Sequence, residues 1–245
     1  MGLFGFGKKK EPKVVDEKTA WNKVSLADLM FAYTKVGDVW SDHEPNERKL
    51  GLSASGNFSK AYKNCIKLGI LRQATPLEKL DFLSMKELQG ICTSLDIKSK
   101  RSKADTRAAI LERVGEEELA TLIPEDYFAL TDLAGQMLAH YDFVPYCLDH
   151  YRGEHLDYTA MTAARNADPK ADLFDVILAG VSKEYMTEQY IESYLEDEDG
   201  YHEEGTAEYR EWARDQKTFA KEDAAEDYKE LVAKIKADKK EASKN

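Results

Sequence analysis

Residues 83–114, LSMKELQGICTSLDIKSKRSKADTRAAILERV, carry start and stop signals for two short helices joined by a basic loop, and they constrain the fold more than any other stretch. Ser84 can cap the first helix while Glu87, three residues on, reaches back to the cap nitrogen, and Leu83 and Leu88 are placed as a hydrophobic staple. Leu88, Ile91, Cys92 and Leu95 recur at helical spacing and mark one buried stripe. The second helix starts at Ser102, with Asp105 at its third position, carries Ala104, Ala108, Leu111 and Val114 inward, and stops at Gly115. Neither helix is long enough to be stable alone, so the two must pack on each other. Lys98, Lys100, Arg101 and Lys103 place four cations within six residues at the mouth of the second helix. Free backbone N–H groups and the positive dipole end of that helix favour a phosphate there.

The order LGILRQAT, TPLEKL, LSMKELQGIC, KSKRSKADTRAAIL and YFALTDLAGQML resembles a group of bacterial SAP-domain proteins over roughly residues 57–141, with the specific part confined to the hairpin. The resemblance implies a helix, extended loop, helix module that touches DNA through the loop and the start of the second helix. Carried over, it places the contact on Lys98, Lys100, Arg101, Lys103 and Arg107. Two positions depart from the family's pattern. Arg101 stands near the place where a small residue or glycine commonly precedes the second helix, and Thr106 stands where an aliphatic residue is usual.

The net charge of −11 does not suit a general nucleic-acid binder, but its distribution is uneven. Residues 1–80 hold 14 Lys and Arg against 9 Asp and Glu, residues 81–115 hold 7 against 5, and residues 116–245 hold 14 against 32. Such asymmetry points to two surfaces with different partners, or to an acidic half that competes with phosphate for the basic loop. No apolar run approaches membrane-spanning length, so no membrane span is expected. The opening MGLFGFGKKK has too short an apolar core for a signal peptide, and Phe6 fails the myristoylation pattern. Cys65, Cys92 and Cys147 cannot pair off completely and read as buried thiols of a cytoplasmic protein.

The rest of the chain reads as mainly α, with few short strands. The expected organisation is a disordered basic tail (1–20), a helical region with a helix-then-strand element of the winged-helix kind (21–75), the SAP-like domain (76–118) and an acidic helical region (119–245). Ser25 and Asp28 open a helix that ends at Gly37, and Phe58 to Leu68 form another that ends at Gly69. Thr75-Pro76-Leu77-Glu78 is a capping box with proline at the first helical position. Tyr127 to Leu130 reads as a strand, Thr131 caps a helix, Pro145 interrupts the periodicity, and residues 146–170 are too polar to assign. Residues 172–179 and 183–195 read as helices. Residues 206–240 form one long or two shorter helices with Tyr209, Trp212, Phe219, Tyr228, Leu231 and Ile235 inward, before a frayed lysine-rich end.

Sharper chemistry is absent. His140, Cys147, His150 and His155 include metal-binding residue types, but with one cysteine and no finger spacing they are not read as a zinc site. EDEDGYHEE at 196–204 lacks a carboxylate at the first and last positions of a calcium loop and reads as a solvated acidic turn. There is no glycine-rich phosphate loop, nucleophile elbow or catalytic dyad, so neither enzymatic activity nor a cofactor is expected. The tyrosines Tyr185, Tyr190 and Tyr194 lie among acidic residues and suit packing or protein contact better than base stacking. The expectation is an adaptor whose hairpin touches a DNA or RNA backbone while the acidic C-terminal half binds a protein partner. The alternative is a non-enzymatic interaction or structural module with the hairpin as scaffold.

Overall fold

The computed structural model describes residues 17–45, 50, 60–152, 154–196 and 205–244. The fold is mainly helical, with 68% helix, thirteen helices and one two-stranded antiparallel sheet among the described residues. The chain divides into two compact units, Met1–Asn46 with Asn57–Met137 and Glu47–Gly56 with Leu138–Asn245. The hairpin unit therefore extends well beyond the expected 76–118. The expected tail up to residue 16, the helix start at Phe58 and residues 197–204 of the acidic turn lie outside the described residues.

In the first unit, α1 (Glu17–Lys23) precedes α2 (Leu26–Lys35), and the capping box at Ser25 and Asp28 is formed in full. α2 is buried over most of its circumference rather than along one stripe. Its charged residues are accordingly satisfied. Asp28 accepts from Asn64 of α3 (Ala61–Lys67), and the Lys35 ammonium, with no exposed surface, donates to Asp42 at 2.7 Å. Gly69 (φ +68°) ends α3, with the Ile70 N–H donating to the Cys65 carbonyl across the left-handed turn. The chain then enters β1 (Leu71–Gln73), which pairs antiparallel with β2 (Phe128–Leu130) in the register Leu71↔Leu130. On the other edge of β2, the Gly37 N–H donates to Phe128 O and the Phe128 N–H to Asp38 O. This requires the left-handed Gly37 (φ +79°), where a Cβ would also meet the Phe82 ring at 3.0 Å.

Between the paired strands the chain forms α4 (Pro76–Phe82), α5 (Met85–Ser94), α6 (Lys103–Leu111) and α7 (Glu116–Leu122). Leu80, Leu88, Ile91, Cys92, Ile110 and Leu119 share one core, within which α5 packs on α6 and α4 on α7. Lys79 is also buried, and its ammonium donates to Ile123 O at the end of α7 (3.3 Å) and to Asp126 (3.0 Å). Two expectations are corrected here. The inward face of α6 is Thr106 and Ile110 with Val114 beyond it, one row at a spacing of four, whereas Ala104, Ala108 and Leu111 are exposed, because the Thr106 hydroxyl bonded to the Lys100 backbone turns that row towards the loop and the core. Gly115 does not stop α6, which already ends at Leu111, but serves as the N-cap of α7.

The second unit takes up the C-terminal end of α8 (Asp132–His140) and contains α9 (Phe143–His150), α10 (Tyr158–Ala167), α11 (Leu173–Ala179), α12 (Lys183–Tyr194) and α13 (Ala207–Ala242). The helical run begun at Asp132 breaks at Tyr141 and Asp142, and Pro145 lies in the first turn of α9, where its missing N–H has no intrahelical partner to lose. The unassigned stretch 146–170 contains α10, capped by Asp157. Its buried face includes Arg165, which binds Asp142 (2.5 Å) and Ala171 O (2.6 Å), so a hydrophobic reading passes over it. α13 is one continuous helix through the expected frayed end, and its inward side is Ala213, Ala220, Ala224, Leu231 and Ile235, with Phe219 53% exposed. Tyr190 donates to Asp227 and Tyr194 to Asp223 (2.5 Å), so α12 and α13 run antiparallel with one hydroxyl–carboxylate pair per turn.

Two substitutions test this packing. Glu78 forms a two-pronged ion pair with Arg72 (2.7 Å each) that holds its carboxyl well below the usual range, at about 2. A depressed acid contributes stability above its ordinary value near 4.5 and loses it as pH falls towards 2. Glu78→Gln is therefore expected to lower stability at pH 7 by under about 1 kcal/mol, because both side chains are partly solvated. In urea titrations the difference should shrink as pH falls from about 4.5 and vanish only below about pH 2. At Gly180 a Cβ would sit 2.6 Å from Met161 Cγ and 2.9 Å from the backbone oxygen of Asp157, whose N–H donates to Gly180 O. Gly180→Ala is expected to cost roughly 1–3 kcal/mol, read as faster amide exchange through α10 and α11.

Candidate nucleic-acid interface

The loop between α5 and α6 is built from both ends by local bonds. Ser84 and Glu87 form the expected capping box on α5, and hydrogen bonds from the Ser84 hydroxyl and backbone N–H hold the Glu87 carboxyl below its ordinary range, with the Lys103 charge adding to the effect. α5 ends in a Schellman turn, the Ile97 N–H donating to Cys92 O and the Asp96 N–H to Thr93 O, with Asp96 in the left-handed conformation (φ +53°). On the other side, Ser102 Oγ accepts from the Asp105 N–H at 3.0 Å and donates to its carboxylate at 2.7 Å. The first intrahelical bond runs from Thr106 N to Ser102 O, which leaves the amides of Lys103 and Ala104 ahead of the hydrogen-bond ladder and open to a ligand.

Thr106 explains the loop's shape. Its side chain has no exposed surface, and its hydroxyl accepts from the Lys100 N–H (3.1 Å) while lying 2.9 Å from Ser102 O and 3.3 Å from Lys100 O. An aliphatic residue here would fill the same space but leave the Lys100 amide unbound. The Thr106 hydroxyl is thus a fastening between α6 and the segment that carries the cations.

The five expected contact residues divide into two groups. Lys98, Lys100 and Arg101 are exposed and form no ion pair among the described residues. Lys103 and Arg107 are turned to internal work at the end of α4. The Lys103 ammonium donates to Asp81 O at 2.7 Å, and the half-buried Arg107 guanidinium pairs with the Asp81 carboxylate while its Nε is buried without a partner. Asp81, 22 residues before Lys103 and further still from Arg107, had no signal in the sequence. Asp105 adds one carboxylate at the mouth of α6, so the positive field depends chiefly on the three open cations.

The histidine and cysteine group does not converge. Cys147 lies in the core with its thiol pushed up by burial, His150 stacks on Tyr146, His140 meets Asn166, and His155 meets Tyr190 edge-on. Among the described residues, no three His, Cys, Asp or Glu side chains group closely enough to hold a metal ion. All three cysteines are free and buried. No helix among the described residues is long and apolar enough to cross a membrane.

Comparison with known proteins found no matching family model, no matching curated protein and no matching solved structure.

Thr106→Val, which keeps volume and removes the hydroxyl, is expected to destabilise the hairpin unit by about 1–3 kcal/mol by leaving the Lys100 amide unsatisfied. Faster exchange of that amide than of amides in α7 is the specific readout, and Thr106→Ser should restore most of the protection.

Proposed function

We propose that the α5–α6 hairpin is a weak, backbone-directed nucleic-acid contact within a non-enzymatic adaptor. The supporting observation is the set of three exposed, unpaired cations, Lys98, Lys100 and Arg101, beside the open amides of Lys103 and Ala104. A phosphate there would meet both the helix dipole and mobile positive charge. The SAP resemblance supports the same assignment, with duplex DNA as the first candidate. Lys103 and Arg107 serve chiefly to hold α6 against Asp81, and their replacement would act through the fold. The strongly acidic residues 116–245 suit a protein partner better than a second phosphate contact.

A second reading rests on the internal use of Lys103 and Arg107. Two of five cations spent on tying α6 to α4 is what a hairpin serving as an interaction scaffold would show.

Affinity measured on the full chain over a salt series separates the two. The nucleic-acid reading expects dissociation constants of about 10⁻⁴ to 10⁻⁶ M near physiological salt, and a log–log salt slope reduced by up to about 3 on replacing Lys98, Lys100 and Arg101 with Glu. No salt-dependent binding to duplex or single-stranded DNA or RNA, or binding unaltered in the triple variant, leaves the scaffold reading. Tighter binding to RNA than to duplex DNA would reassign the ligand and keep the site.

A further inference from the structure

The strand pair divides the first unit into two layers. Phe128 packs against Trp40 and against Tyr62 of α3 on one face, while its neighbours Tyr127 and Ala129 point to the other and join the core of α4 to α7. α3 and the hairpin helices therefore lie on opposite faces of the sheet. α3 is fixed in place by the bond from Asn64 to the Asp28 carboxylate and by the Cys65 thiol on Asp28 O at 3.2 Å. The Tyr62 ring adds an edge-on contact with Phe128 and stacks on His43 with centroids 4.1 Å apart.

The outer flank of this helix carries Lys60, Lys63 and Lys67, all exposed. At about 100° per residue the three fall within about 60° of one another and span about 10 Å of helix axis. None of them forms an ion pair or a hydrogen bond among the described residues. The helix, AYKNCIK, contains no acid, and the one carboxylate bonded to it among the described residues, Asp28, is buried on its inner side. Lys60 with Lys63 and Lys63 with Lys67 are like-charge pairs at spacings of three and four, which weaken a helix. Two of the three also stand at the start of α3, where acids are the favoured residues. In a chain with 46 acids against 35 bases, this is a concentration of positive charge from which the fold itself gains nothing. Local rules broken without an internal compensation mark a functional surface.

We propose that the Lys60, Lys63 and Lys67 flank of α3 is a second phosphate-backbone contact, which makes the first unit bivalent for nucleic acid. The class of ligand rests on the hairpin reading above, and the site is new. A span of about 10 Å matches about three successive phosphates along one strand of a duplex, at 3.4 Å of rise each. Lysines meet phosphates as point charges on flexible stems, so the contact adds affinity without sequence preference. Because α3 and the α5–α6 pair occupy opposite faces of the sheet, the two contacts engage different stretches of backbone. Their free energies then combine through the effective concentration set by the fold between them.

The test measures binding of the full chain to a duplex of about 30 base pairs over a salt series. Lys60→Gln, Lys63→Gln and Lys67→Gln together form one variant, and Lys98→Gln, Lys100→Gln and Arg101→Gln form a second. Gln at Lys170, Lys221 and Lys229, exposed lysines of the second unit, is the control for net charge. The α3 variant is expected to lower the log–log salt slope by about 2–3, the loop variant by a similar amount, and the control not at all. The α3 variant should keep or slightly raise the melting temperature, because two like-charge pairs are relieved. Duplex should also slow chemical acetylation of Lys60, Lys63 and Lys67, in the native chain and in the loop variant alike. An unaltered slope and acetylation rate at α3 beside a reduced slope in the loop variant would overturn the inference and leave the hairpin contact standing. A reduced slope in the α3 variant beside an unaltered one in the loop variant would keep α3 as the contact and overturn the hairpin reading instead. No salt-dependent binding, or an equal loss in the control, would overturn both.

Discussion

Every helix of the hairpin region is too short to stand by itself. α4 and α7 have 7 residues, α6 has 9 and α5 has 10, all below the roughly 12–15 residues at which isolated helices become marginal in water. Their stability is therefore tertiary, supplied by the shared core around Leu80, Leu88, Ile110 and Leu119. The strand pair closes that core across its ends, since β1 precedes α4 and β2 follows α7. The cationic loop inherits its geometry from this packing. Weakening any one helix should loosen the loop along with it, which couples the cationic loop to the stability of the whole unit.

The unit also buries charge, and each buried charge is spent on a connection that no apolar side chain could make. Lys79 ties α4 to the turn after α7, Lys35 ties α2 to the segment after it that runs along β2, and the half-buried Arg107 ties α6 to α4. Replacing one partner of such a pair leaves an uncompensated charge, a much larger penalty than the net worth of the pair. These contacts specify which helix meets which more than they add to stability. The second unit repeats the device with Arg165, whose guanidinium gathers Asp142 and the carbonyl of Ala171.

What was legible in the sequence was local. The capping boxes at Ser25, Thr75 and Ser84 formed as read, because a serine or threonine and an acid three residues on complete their bonds without outside help. The strand Phe128–Leu130 and the glycine stop at Gly69 were equally readable. The misreadings share a different cause, since each depended on a partner distant in sequence. The face of α6 turns on Thr106 and Ile110 because the loop and the core meet there, and periodicity among alanines gave no sign of it. α13 hides alanines and exposes Phe219, since small residues let α12 approach closely enough for tyrosines to reach Asp223 and Asp227. At the candidate site the positions of all five cations could be read, but their division into three open and two committed could not, because Asp81 lies a helix away.

That division bears on how the loop could act. A small basic patch on a flexible segment gains little from a phosphate, because ordering the chain offsets much of the attraction. Here the ordering has already been done. Thr106 fixes the Lys100 backbone, the Schellman turn at Asp96 fixes the approach, and Lys103 and Arg107 fix the axis of α6, so only the side chains of Lys98, Lys100 and Arg101 remain to be ordered on contact. At Thr106 the fold thus gives up apolar packing for a preset backbone.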